Sequence, residues 1–96
     1  MNISLEFTKI DVIDFALYQN TPNPVKDATA IGFDLPEAGT ATITVADITG
    51  KVISIINGEY AKGYNEVNVS NLPIGVLTYT LTNGDFTATK TMVVVK

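Results

Sequence analysis

The sequence predicts an all-β fold, and three observations carry that prediction. β-Branched residues abound, with 13 Thr, 10 Val and 10 Ile among 96 residues. Such side chains are stiff at χ1 and suit a pleated surface better than a helix. No window holds a sustained apolar i, i+3, i+4, i+7 stripe, whereas short runs alternate with period two. Gly, Pro, Asn and Asp separate those runs. Together these features describe an immunoglobulin-like antiparallel β-sandwich of about seven strands. A chain of 96 residues makes one domain with one core and leaves no room for a large substrate cleft.

The elements follow in chain order. Ile3 to Phe7 alternates and reads as a strand; Lys9 to Asp14 is mixed and reads as a connector. Residues 1–14 are expected to be a linker or tail, and residues 15–96 the sandwich. Pro22 and Pro24 fix two φ values and push Thr21 and Asn23 into extended geometry, so Asn20 to Pro24 is expected to be a rigid corner. Thr29, Ile31, Phe33 and Leu35 share a strand face, and Pro36 to Gly39 makes a turn. Ala41, Ile43 and Val45 point inward between outward Thr40, Thr42 and Thr44. Asp47-Ile48-Thr49-Gly50 turns the chain into Lys51 to Ile56, which is apolar on both faces and so expected to be central or covered. Asn57-Gly58 reads as a turn because both residues tolerate positive φ. Asn65, Val67 and Val69 alternate with Tyr64, Glu66 and Asn68. Leu72 to Gly75 forms a corner, after which Leu77, Tyr79 and Leu81 face inward. Asn83-Gly84 is a hairpin turn into the last strand, Phe86 to Lys96. Alternation sets Lys90 on the face of Phe86 and Met92, so either the lysine snorkels at an edge or a bulge changes the register.

Composition excludes whole classes of function. The net charge is −4, so no basic field exists to hold nucleic acid or anionic lipid. There is no Cys and no His, which removes disulfides, thiolate and imidazole metal sites, cysteine nucleophiles and a histidine base. No apolar run approaches the roughly 18–20 residues that cross a bilayer. Met1 to Glu6 lacks the basic start and apolar stretch of a signal peptide. If the parent protein is exported, that signal is expected outside this chain.

The remaining polar residues read mostly as surface. The carboxylates fall at turns or outer strand faces instead of pairing across a cleft. Asp47 to Lys51 lacks the first glycine of a phosphate loop, and no Ser or Thr follows its lysine, so a side-chain-stapled turn is the better reading. Asn83, Asp85 and Asp47 supply oxygen ligands suited to calcium, but no D-x-D-x-D run supports a site. Asn2-Ile3-Ser4 and Asn68-Val69-Ser70 fit the N-glycosylation triplet, which is common by chance. A Ser, Thr or Lys nucleophile would need an unusual base, and none is placed beside it. No enzyme activity, cofactor or metal is expected.

Thr91 to Val95 is the most unusual stretch. It is β-prone and uncharged, and Lys90 and Lys96 flank it. It reads as a final core strand, or as an edge that pairs with a partner strand while the two lysines guard against uncontrolled pairing. The two readings are compatible.

The succession from Phe15 through Tyr18-Gln19-Asn20-Thr21-Pro22-Asn23-Pro24 resembles the opening of the C-terminal sorting domain of the type IX secretion system of Bacteroidota, of the type A-like kind. The likeness continues in Ile31 to Gly39, Asp47 to Val52, Gly63 to Val67, Gly75-Val76 and Phe86 to Lys90. Val25 departs from it, where Phe often follows Pro-Asn-Pro, as do Ala46 and Thr78 at aromatic positions. The immunoglobulin-like module of the flagellar hook-capping protein shares the Pro-Asn-Pro and Leu-Pro elements, which keeps a structural or adhesive accessory module as the alternative function. The resemblance implies a non-catalytic address behind an N-terminal passenger. Its implied partners are an outer-membrane translocon and a sortase-like peptidase, and its route runs through the periplasm to the cell surface or the medium. The implied recognition region is Gly75 to Lys96, with Gly75, Val76, Lys90, Met92, Val93, Val94, Val95 and Lys96 as its candidate residues. The isolated domain is expected to be a monomer.

Overall fold

The computed structural model describes residues 14–96. The strand expected at Ile3 to Phe7, the connector before Asp14 and the Asn2-Ile3-Ser4 triplet therefore lie outside the described residues. Seven strands and no helix occur among those described: β1 (Ala16–Leu17), β2 (Ala28–Leu35), β3 (Gly39–Asp47), β4 (Val52–Tyr60), β5 (Gly63–Ser70), β6 (Gly75–Asn83) and β7 (Phe86–Val94). They form two antiparallel sheets, one in the order β1-β2-β5 and the other β4-β3-β6-β7. The sheets face each other across one core, as the alternation predicts.

The core is built from the inward rows that period two selects. Ile31, Phe33 and Leu35 of β2 meet Ile43 and Val45 of β3, Leu77 and Leu81 of β6, and Met92 and Val94 of β7, all buried. Phe33 and Tyr60 meet edge to face across the sheets, with ring centroids 5.1 Å apart. Each such side chain adds about 1.5–3 kcal/mol on burial. The outward rows are largely polar, apart from Val52 and Ile55 of β4 and the Val76–Val93 pair. Tyr18 donates to the Asp34 carboxylate, and the Tyr64 hydroxyl donates to Glu66 Oε2 at 3.1 Å. These bonds hold both phenols above their ordinary pKa of 10.0. The Tyr64 ring lies over Gly32, in the space a Cβ would need.

The turn after β3 is stapled by Asp47, as its sequence suggests. Oδ1 of Asp47 accepts bonds from the Thr49 backbone N at 2.9 Å, the Thr49 hydroxyl at 2.6 Å and the Lys51 backbone N at 3.0 Å. Gly50 takes the positive φ of 91° that closes the turn. The hydroxyl of Thr49 and the two backbone donors lower the Asp47 carboxyl below its ordinary value of 3.8.

Two expectations for the middle of the chain are corrected. Lys51 to Ile56 is not central: among the described residues β4 is an edge strand, bonded to β3 alone. Its apolar character on both faces comes from a register shift between Val45 and Ala46, beside which Ile53 and Ile56 both pack on the core while Val52 and Ile55 face solvent. Asn57-Gly58 is not a turn. Asn57 pairs with Thr42 and Gly58 with Ala41, and Asn57 Nδ2 donates to the Thr42 hydroxyl at 2.7 Å. Pairing with β3 outweighs the local preference. The chain reverses at Ala61-Lys62, where Asn65 Nδ2 donates to the carbonyls of Ala61 (2.8 Å) and Gly63 (3.1 Å).

The Lys90 alternative is settled. Every residue of β7 pairs one to one with β6, so no bulge intervenes. The inward row of β7 grades from exposed Phe86 through half-buried Ala88 and Lys90 to buried Met92 and Val94. Lys90 sits half-buried on that row, opposite Tyr79. Phe15 stacks on Phe86 at 5.2 Å and covers the open end of the row.

Two measurements check this account. Leu81→Ala should cost about 2–5 kcal/mol in urea denaturation, while exposed Ile48→Ala should stay within about 0.5 kcal/mol. The Asp47 carboxyl is lowered on folding, so its stabilisation is present above the ordinary value and fades as pH falls through the folded one. The stability gap between wild type and Asp47→Asn should therefore be widest near neutral pH and narrow below about pH 4; a gap that does not change with pH would contradict the charge contribution.

Candidate functional site

The segment between β1 and β2 builds the feature most particular to this sandwich. Tyr18 N and Thr21 N still donate to β2, at the carbonyls of Gly32 (3.0 Å) and Ala30 (2.9 Å). The segment then leaves that sheet and lies along the outer edge of β7. Val25 N donates to the Val93 carbonyl at 2.7 Å, and Val95 N donates to the Val25 carbonyl at 2.8 Å. Asn23 Oδ1 accepts from Val93 N at 3.0 Å, and Gln19 Nε2 donates to the Thr91 carbonyl at 2.7 Å. Pro22 and Pro24 have no N–H to offer a ladder. Two side-chain amides supply bonds along the edge around them.

This clasp is anchored from beneath by a buried polar network. Tyr79 is fully buried on β6; its hydroxyl accepts from Asn20 N and donates to the Tyr18 carbonyl, both at 2.8 Å. Burial pushes that hydroxyl above its ordinary pKa of 10.0, which keeps its proton in place for donation. The buried Asn20 Nδ2 donates to the Pro22 carbonyl and to the Thr29 hydroxyl, each at 3.1 Å, and Thr29 donates to the same carbonyl at 3.0 Å. Val25 closes the arrangement from the apolar side, 1% exposed in the core.

The predicted recognition residues divide four ways. Met92 and Val94 are core, and a partner does not reach them in the folded domain. Val76 and Val93 pair across β6 and β7, with 46% and 37% exposure, on an outer face otherwise lined by Thr78, Thr80, Thr89 and Thr91. Gly75 pairs with Val94, Val95 is half-buried and bonded to the clasp, and Lys96 is exposed beyond it. Lys90 stands apart, on the inward row. The edge at Thr91 to Val95, read as open to a partner strand, is occupied by the chain's own Gln19 to Val25.

The calcium candidates do not assemble. Asp47 pairs with Leu77 at one end of the sandwich, whereas Asn83 and Asp85 belong to the hairpin at the other. That second end holds a shallow cleft of about 410 Å³ between Pro36–Ala38 and Asn83–Phe86. The chain enters there through Phe15, at the opposite end from Val95 and Lys96.

Sequence reasoning missed Gln19, Asn20, Asn23 and Tyr79 as parts of one device. The available signal was a run of side-chain amides interleaved with prolines, an arrangement that supplies bonds where backbone donors are absent.

Fold and site define a small immunoglobulin-like module whose opening segment is buckled onto its last strand. The family described as secretion system C-terminal sorting domain matches residues 20–95, a span that runs from the buried Asn20 to the clasped Val95. The chain belongs to that family: it is a C-terminal sorting signal of type IX secretion. Such a domain implies a type IX secretion system, a passenger attached at its N-terminal side, and export to the cell surface or extracellular space. The family is in general non-catalytic. No curated protein matches the chain.

The clasp yields a prediction. Tyr79→Phe leaves Asn20 N and the Tyr18 carbonyl without their buried partner and should cost about 1–3 kcal/mol. Asn23→Ala frees only Val93 N at the surface and should cost less. Hydrogen exchange should show Val93 and Val95 losing protection first in Tyr79→Phe; unchanged protection there would separate the network from the clasp.

Proposed function

We propose that the translocon reads this domain as a folded surface, not as an open strand. The observation that carries this reading is the sealed edge: with Thr91 to Val95 clasped, only side chains of the last two strands remain to be read. Val76 and Val93 form the apolar centre of that surface, with Lys96 beside it and Gly75 shaping the start of β6. Lys90 marks the other end of the clasped stretch. Met92, Val94 and Val95 act from within, by holding β7 in place.

Residues 1–14 serve as the connector to the passenger, and residues 15–96 form the sorting unit. The connector enters at the end opposite Lys96, which leaves the recognition surface clear of a bulky passenger. The domain itself catalyses nothing; it lacks His and Cys, and its carboxylates are spread over the surface. The passenger crosses the periplasm, meets the outer-membrane translocon, and is then cut from the domain by a sortase-like peptidase.

A carrier protein fused ahead of this chain tests the reading in a host with the secretion system. Wild type should be exported. Val76→Thr with Val93→Thr, and separately Lys90→Glu with Lys96→Glu, should retain the carrier in the periplasm. Changes at exposed Val76, Val93 and Lys96 cost within about 0.5 kcal/mol each, whereas half-buried Lys90 costs more, so Lys96→Glu alone is read beside the double change and circular dichroism should show the fold intact in each. Deleting Thr91 to Lys96 should also block export, through loss of β7. Wild-type export of both substituted forms would remove the proposed surface from the mechanism.

A further inference from the structure

β4 presents an open edge of unusual character. Among the described residues it bonds to β3 on one side only, and from Val52 to Gly58 it holds no charge and no proline. Ile55 is 62% exposed at its middle. Open edges are normally blunted by a charge, a proline or a bulge within the strand. Here the register shift lies at Val52–Ser54 while Ile55 to Tyr60 runs residue by residue against β3, so a two-fold pair about Ile55 sets a regular segment of one copy against the shifted segment of the other in each half. The open edge of β5 differs, since Tyr64, Asn65, Glu66 and Asn68 make it polar.

We propose that the β4 edge pairs with the β4 edge of a second copy of this chain, antiparallel across a two-fold axis near Ile55. The strand is self-complementary about that point. Ile55 meets Ile55 of the second copy as an apolar cross-strand pair. Lys51 lies just before β4 and Glu59 near its end, four residues to either side of Ile55. Antiparallel pairing brings each Lys51 to the end of the other strand that carries Glu59, an attraction repeated at both ends. Parallel pairing would instead set lysine beside lysine and glutamate beside glutamate. This pairing departs from the monomer expected from the sequence. β4 and β7 are opposite edges of the same sheet, so the pair leaves the clasp and the Val76–Val93 surface free. One strand pair is a small interface, and the association is weak and concentration-dependent.

Sedimentation velocity of the 96-residue chain, from about 1 μM to about 1 mM, tests this. The sedimentation coefficient should climb from that of a 10.3 kDa monomer toward that of a dimer. Ile55→Lys, a change at an exposed position, should weaken association at least tenfold, with circular dichroism confirming the fold. Glu59→Lys should weaken it as well, and adding Lys51→Glu should restore it. A wild-type chain that stays monomeric overturns the proposal, as does association that Ile55→Lys leaves unchanged. Failure of the charge swap to restore association overturns the antiparallel arrangement. Amide protection of Val52–Tyr60 that appears only in a passenger fusion, independent of concentration, would assign the edge to the passenger and overturn the pairing with a second copy.

Discussion

The hydroxyl of Tyr79 is the point on which this sandwich turns. It sits fully buried between the sheets and bridges two backbone groups of the chain that crosses above it. A polar backbone can run through such a place only if its N–H and C=O groups are met, because an unpaired one costs about 1–3 kcal/mol. Tyr79 meets the Tyr18 carbonyl and Asn20 N; Asn20 and Thr29 meet the Pro22 carbonyl. With these groups satisfied, the segment can leave one sheet at Thr21 and join the other at Val25. The clasp, the sealed edge of β7 and the burial of Val25 all follow from that crossing.

Much of the fold was legible because alternation is a local property. In β3 and β6 the residues expected inward are the inward ones and the outward threonines follow, and the faces read in β2 and β5 are the faces those strands present. The stapled turn at Asp47 was legible for the same reason: acceptor and donors lie within four residues of each other. β4 was not. Whether a strand is central or at an edge depends on which strands flank it, and nothing in Lys51 to Ile56 encodes its neighbours. Asn57-Gly58 shows the same limit. Its turn preference is real but small, and continuous pairing with β3 from Gly39 to Thr42 overrides it. Lys90 lay between: its face was legible, and only the unbroken register with β6 chooses snorkelling over a bulge.

The site was legible in its ends and hidden in its middle. The Thr91 to Val95 run and the Pro-Asn-Pro corner each stood out in the sequence, yet as unrelated features. Their connection depends on bonds between residues 70 and 72 positions apart, which no local pattern records. Asn20 and Asn23 look alike on paper and do different work. Asn20 is buried and braces the crossing, whereas Asn23 reaches out to a strand edge.

That separation in sequence has a consequence for how the signal is presented. Closing so long a loop costs entropy that a few hydrogen bonds cannot offset alone. The clasp therefore depends on the core that holds β1, β2, β6 and β7 together. Val76 and Val93 lie side by side only in that same state, since their pairing is part of the β6–β7 ladder that the clasp borders. A partial chain, or one not yet folded, displays the same residues without that geometry. The proposed recognition surface is thus a property of the completed sandwich, whose opening segment and last strand are held to one another by Gln19, Asn23 and Val25.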